Sequence, residues 1–464
     1  MSRLLLLVTP TRWLVRAAWA ICFGLLSLLP LAGPAVAQPA VPVLAPADTL
    51  APVSEPLVRY YLERSLSVQA LASPNATVPQ RYDLMHWAAG AGIRLAGRLG
   101  GWWYTPESDA AAQAIFDTLR HNIQILRAGQ PAVVAQGCIF EIIWPHVNNL
   151  HVPNKLRADF GEDTVAEPQR NFRFRDMMYP GYYAAVDSSH YRWDERAPDH
   201  APGTPDLSRR EAQLWFYYCA AGQIDAGCEA LHFGQIMLMD DRDPGHQAFW
   251  SLLQRVRRYA RAHNRGFVLC DAHTHGEYYD PHPATPLPDS VRQLLFDFHS
   301  CPLRPNEADT VRSGTHAAYL ARDSWGNPVG AIFGLSKGGR APGGWLCRHL
   351  PAQAEFDNGP IGIPDKPRQW PLVWGRDEIS WFANQPAAYR NQWLVYAQAR
   401  VRQLDPDTYF QMAAARGVSL ASYPQQEYWA IAAGQSETIR AIWAGETTAE
   451  AARLLLIGPV LATP

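Results

Sequence analysis

Gly266 to Glu277 reads GFVLCDAHTHGE, and this stretch decides the fold class. Phe267 to Cys270 is a short apolar run with the length of a buried strand. It follows a strongly helical pattern and gives way at once to Asp271, His273 and His275. Polar groups just past the C-terminal end of a buried strand are where barrel and doubly wound α/β folds carry their chemistry. Outward from here the same order recurs: apolar run, carboxylate or imidazole, loop, helix.

Eight segments fit that order. Ile93 to Gly97 reads as a first strand ending at Arg98 and the aromatic loop Gly101-Trp102-Trp103-Tyr104. Ala132 to Ile143 is a second strand, with Glu141 inside an apolar run. A carboxylate there must be paired, protonated or functional. Glu229 to Ile236 is a third, bearing His232 and Gln235, and the opening stretch is the fourth. Leu294 to His299, with Asp297 and His299, is a fifth, preceded by a short helix from Val291. Ala352 to Asn358 is a sixth, with Glu355 and Asp357 on one face. Pro371 to Gly375 is a seventh, followed by Asp377, Glu378 and Trp381, and Thr408 to Ala413 an eighth. Helices are expected between them, for example from Asp109 to about Arg127 and from Gln247 to Ala262, with Ser108 suited to an N-cap. The alternation predicts a (β/α)8 TIM-type barrel. Residues 144–206 and 300–350 are long insertions expected over its C-terminal face, the second with a hairpin at Gly330 to Leu335.

Before the barrel, Arg3, Arg12 and Arg16, the apolar core Ala17 to Leu29 and the small-residue site Ala35-Val36-Ala37 read as a signal peptide over residues 1–37. Residues 38–55 are a Pro/Ala-rich linker. Residues 56–464 form one barrel domain, with residues 56–72 a helix closing its bottom and helices at Ser436 to Trp443 and Thr448 to Leu456 ending the chain. The mature chain is expected to be secreted or periplasmic, without a membrane segment.

The net charge of −2, with no basic block, points away from nucleic acid and anionic membrane surfaces. Of seven cysteines, Cys22 lies in the leader. Among the others, Cys219 and Cys228 are the nearest candidates for a disulfide in an exported protein, while Cys138 and Cys270 sit in strand-like runs as buried thiols. No cysteine pair has zinc spacing. Seventeen tryptophans among 464 residues suit a large core, and on an exported enzyme also platforms for sugar rings.

Three chemistries compete for the strand ends. A glycosidase needs a protonated acid and an opposed carboxylate; Asp271 and Glu378 are the first choice, with Glu141, Asp297 and Asp357 as further candidates. His232, Gln235, His273, His299, Trp102, Trp103, Asp377 and Trp381 would then bind a carbohydrate substrate, with no metal and no cofactor. Alternatively, Asp271, His273 and His275 resemble the HxH motif of metal-dependent amidohydrolases, although that motif there ends the first strand. A third reading is a barrel that binds carbohydrate without catalysis, its histidines satisfied by rim partners.

The phrases Ile139-Phe140-Glu141, His232-Phe233-Gly234-Gln235, Leu295-Phe296-Asp297-Phe298-His299-Ser300, Glu355-Phe356-Asp357-Asn358 and Trp374 to Phe382 resemble a largely uncharacterised family of exported bacterial glycoside-hydrolase-like barrel proteins. The resemblance covers most of the chain after residue 85. It implies that fold and transfers no activity to individual residues.

Overall fold

Alternation along Leu269–His273 sends Leu269, Asp271 and His273 to one side and Cys270 and Ala272 to the other. In the computed structural model, the first set faces the interior of a closed barrel of eight parallel strands. The structure describes residues 53–446 apart from 74–75, 102, 185–190, 195, 264–265, 274–277, 284, 286, 289, 304–335, 358–377 and 421–422. The strands are β1 (Ser65–Ser67), β2 (Leu95–Gly100), β3 (Val134–Cys138), β4 (Ala230–Gln235), β5 (Leu269–His273), β6 (His299–Pro302), β7 (Ala352–Glu355) and β8 (Thr408–Ala413). Each pairs in parallel with the next, and β1 closes on β8 through Leu66–Met412 and Ser67–Ala413. The (β/α)8 class expected from the sequence is therefore the class observed.

The surrounding helices include α1 (Glu55–Leu62), α2 (Val78–Gly90), α3 (Asp109–Gly129), α4 (Arg210–Ala226), α5 (Gln247–His263), α6 (Glu378–Ala383), α7 (Ala387–Leu404) and α8 (Ser436–Ala444). Their starts follow local chemistry. Ser108 accepts a hydrogen bond from Ala111 N to begin α3, and Thr77 with Gln80 forms a capping box on α2. Gly227, at φ +112°, ends α4 in the left-handed region that favours glycine. No described helix is long and apolar enough to cross a membrane.

Several expectations are corrected. Residues 56–72 are not one helix: α1 stops at Leu62, Ser65–Ser67 is the true first strand, and Gln69–Ala72 is a 3-10 turn. A three-residue Ser-Leu-Ser strand carries almost no local signal, because its stability comes from pairing on both sides with Leu95–Gly97 and Met412–Ala413. The opening stretch consequently forms strand five rather than four. Strand six begins at His299, where the sequence suggested an end. Gln293–Leu294 instead pairs with Tyr278–Tyr279 in a small separate sheet, replacing the helix expected from Val291. Pro371 to Gly375, Gly330 to Leu335 and Thr448 to Leu456 lie outside the described residues, and β7 pairs directly with β8. After β8 an unforeseen antiparallel hairpin, Ala415–Leu420 with Tyr423–Trp429, follows. The expected disulfide between Cys219 and Cys228 is not formed.

The expected bottom closure is present. Val58, Tyr61 and Leu62 of α1 pack on the inward residues Leu95, Val134, Ala230, Leu269, Phe298 and Tyr409. All lie near the N-terminal ends of their strands and are shielded from water, each large side chain contributing about 1.5–3 kcal/mol. Phe298→Ala should therefore lose about 3–5 kcal/mol in urea denaturation, whereas Val165→Ala, 87% exposed, should change stability by less than about 0.5 kcal/mol.

Candidate active site

Above that apolar floor the barrel interior turns polar, one strand position at a time. In the next layer Gln353 and Gln411 both donate to Ser65 Oγ, at 2.7 and 2.8 Å. Gln136 Nε2 donates to Asp271 Oδ1 at 2.7 Å. Gly97 completes the layer by absence: a Cβ there would lie 2.1 Å from Gln411 Nε2. Asp271 Oδ2 accepts from Ser300 Oγ at 2.5 Å and from His232 Nδ1 at 2.8 Å. Both of its oxygens are thus engaged by three donors. That fixes the His232 tautomer with the proton on Nδ1, while burial, outweighing Asp271, pulls the ring's pKa down and keeps it neutral.

The layer above holds the charges. Arg98 has φ +57°, and the β2–β3 register shifts between Ala96 and Gly100. This bulge turns Arg98 inward, which regular alternation would not do. Its Nη2 donates to Glu355 Oε1, and Nη1 lies 3.6 Å from Asp357 Oδ1. His273 Nε2 lies 2.9 Å from the same Glu355 oxygen and 3.0 Å from Arg98 Nη2. One nitrogen cannot both donate and accept, so Nε2–H donates to Glu355 and the approach to Arg98 is that of two donors sharing one acceptor. His273 and His232 meet edge to face at 4.8 Å.

Two buried carboxyls are driven apart in acidity. Burial pushes Glu141 above the ordinary range, although Gln235 N donates to Oε2 at 3.1 Å and Gln235 Nε2 to Oε1 at 3.2 Å. Gly234, at φ +59°, permits this approach, since a Cβ there would stand 2.0 Å from Glu141 Oε2. Burial also raises Glu355, but Arg98 and His273 overcome it and hold that carboxyl well below the ordinary range. His273 acts on both, and Asp357 pushes Glu141 further up. Glu355 Oε2 and Asp357 Oδ2 are buried and find no hydrogen-bond partner among the described residues.

The remaining candidates divide. Glu378 starts α6, buried, with Ile379 N 3.4 Å from Asp357 O. Asp297 is elsewhere: it accepts from Cys270 N at 2.8 Å and Arg257 Nη2 at 3.2 Å, between the barrel wall and α5. His299 is fully buried and, one position from inward Ser300, belongs to the opposite face of β6. Trp381 packs on Trp393 at 5.3 Å within the helix layer. Trp103 packs on Phe140 and Trp193 at 5.5 and 5.3 Å. A rim cleft of about 630 Å³ is lined by its neighbour Tyr104 with Trp144, His146 and Arg196. Trp102, His275 and Asp377 lie outside the described residues. Arg98, Glu355, Gln136 and Ser300 were not among the sequence-derived site residues. Of these, Glu355 left a signal, its place on one face with Asp357 by period-two alternation.

These observations define the class as a (β/α)8 barrel with a charged interior at its C-terminal end. No family model and no curated protein matches the chain. Among solved structures it is similar to a putative alpha amylase from Salmonella typhimurium, with TM-score 0.37 and 12% identity over 87% of this chain and 62% of that one. It is also similar to a GH36 alpha-galactosidase from Geobacillus stearothermophilus (TM-score 0.25, 11% identity, 45% and 28% of the two chains). A third is a debranching enzyme from Nostoc punctiforme (TM-score 0.25, 10% identity, 46% of each). The chain thus spans under two thirds of the first of these, and at such scores the likenesses carry no argument about activity.

The two shifted carboxyls have opposite linkage to stability. Glu355, with its folded pKa lowered, stabilises the protein above the unfolded carboxyl pKa of about 4.3. That contribution disappears as pH falls through the folded value. Glu141, with its folded pKa raised, loses stability as pH rises from the unfolded to the folded value. At pH 7 Glu355→Gln should cost about 3–5 kcal/mol by leaving buried Arg98 with only the more distant Asp357, while Glu141→Gln should be neutral or stabilising. Urea titrations at pH 3, 5.5 and 7 check both signs.

Proposed function

We propose that this chain is an exported glycosidase-like hydrolase in which Glu141 holds the proton for the leaving oxygen and Glu355 is the ionised carboxylate opposed to it. The observation carrying this reading is the pair of buried carboxyls around His273, shifted in opposite directions. Acetal hydrolysis needs that division: one acid protonated at working pH, one carboxylate charged. Arg98 and His273 keep Glu355 charged, and Asp271 acts as a positioning residue through His232. In this reading the pair first suggested by the sequence, Asp271 and Glu378, moves to supporting roles, because three donors occupy Asp271. Export rests on the leader at residues 1–37, and the carbohydrate substrate on the aromatic rim, Tyr104 being 62% exposed.

A second reading, a barrel that binds glycans without cleaving them, draws on the same ion pair, because Arg98 and His273 both engage Glu355 Oε1 and hold that carboxylate in a structural role.

A panel of oligosaccharides assayed by reducing-end release separates the two. Glu141→Gln and Glu355→Gln should each lower turnover about 10²–10⁴-fold with circular dichroism unchanged. Full activity in both variants overturns the pair, and binding without cleavage by the wild type selects the second reading.

A further inference from the structure

On the opposite, N-terminal face of the barrel, three side chains converge that the proposed chemistry does not use. His349 lies in the segment entering β7, and Asp405 and Asp407 in the turn entering β8. One ligand-type atom from each falls within 4.8 Å of the others. His349 and Asp405 are 5% and 3% exposed.

The geometry points to a site for a divalent transition ion held by His349 Nε2, Asp405 and Asp407. His349 Nδ1 is 3.1 Å from the carbonyl oxygen of Leu350, which can only accept, so Nδ1 carries a proton and Nε2 is the ring atom turned to the carboxylates. That nitrogen faces Asp407 Oδ2 at 3.4 Å and Asp405 Oδ1 at 3.7 Å. Both distances are too long for good hydrogen bonds, and three electron-rich atoms facing one another repel unless a proton or a metal cation stands among them. Two ligands about 2.1 Å from a common ion at a tetrahedral angle lie about 3.4 Å apart.

The second oxygens are committed elsewhere, as the outer partners of metal ligands usually are. Asp405 Oδ2 accepts from Thr408 Oγ1 at 2.6 Å, and Asp407 Oδ1 from Arg59 Nη1 at 2.7 Å. Each carboxylate is therefore held by one oxygen and turns the other to the shared point. Arg348 Nη2 stands 3.5 Å from His349 Nε2, beyond a strong hydrogen bond. With Arg59 it offsets part of the negative charge, so the site suits an ion that gains from imidazole as well as charge, such as Zn²⁺, over Ca²⁺ or Mg²⁺. Through Arg59 the ion would fasten α1, the floor of the barrel, to the β7 and β8 entries; its role is structural.

The test uses tag-free full-length chain, stripped with chelator, desalted and titrated with Zn²⁺ by calorimetry and elemental analysis. One ion per chain and a raised thermal midpoint are expected. His349→Gln and Asp405→Asn should each weaken binding at least tenfold, while His273→Gln, at the other end of the barrel, should leave it unchanged. Should either site variant fail to fold, X-ray absorption of the loaded wild type decides: a shell of imidazole and oxygen supports the site, and sulfur in it refutes it. The proposal is overturned if the wild type binds no stoichiometric Zn²⁺, if folded His349→Gln binds as tightly, or if His273→Gln abolishes binding. None of these outcomes bears on whether a glycan is cleaved.

Discussion

The upper half of this barrel depends on one ion pair, Arg98 with Glu355. Both groups are almost inaccessible to water. A lone charge in that position would cost several kcal/mol of desolvation, so each is tolerable only beside the other. The pair joins β2 to β7 across the interior and draws His273 of β5 to the same oxygen. It also explains the backbone: Arg98 adopts a left-handed conformation that costs on the order of 1–3 kcal/mol, and the bulge that contains it delivers the guanidinium to Glu355. Glu141 takes its raised pKa chiefly from burial, with the charges around His273 and Asp357 acting on top of it.

The interior is consequently graded. The floor is apolar and shut by α1, the middle is a neutral amide and hydroxyl network around Asp271, and the top is charged. This grading separates tasks by height along each strand. Leu269, Asp271 and His273 occupy successive inward positions of one strand and belong to three different environments. The middle layer matters for reactivity because it sets the orientation of His232 and insulates the ion pair from the floor.

Much of this was legible locally. Strands β2 to β5 and β8 announce themselves by apolar runs with polar ends, and Asp271, His273 and His232 are inward because alternation makes them so. What was hidden depends on distant partners. Ser65–Ser67 has no strand propensity to read and exists through its two neighbours. Arg98 is bonded to a residue 257 positions away, and its inward direction comes from a bulge, which breaks the periodicity used to assign faces. Asp297 shows the converse error: it looks like a strand-end carboxylate, yet strand six starts two residues later. A carboxylate before a strand lies at the other end of the barrel from one after it.

The closure between β1 and β8 has a consequence for how the chain folds. Gln411 meets Ser65 across 346 residues, and no shorter route completes the cylinder. Parallel pairing over such separations is slow, because the entropy of closing the loop is lost before any contact compensates it. During synthesis the first strand must wait, unpaired on one side, until nearly the whole chain has emerged. A chain of this topology cannot finish folding before its last strand has emerged. The same delay leaves the inward faces of the growing sheet open to other molecules until the last strand arrives.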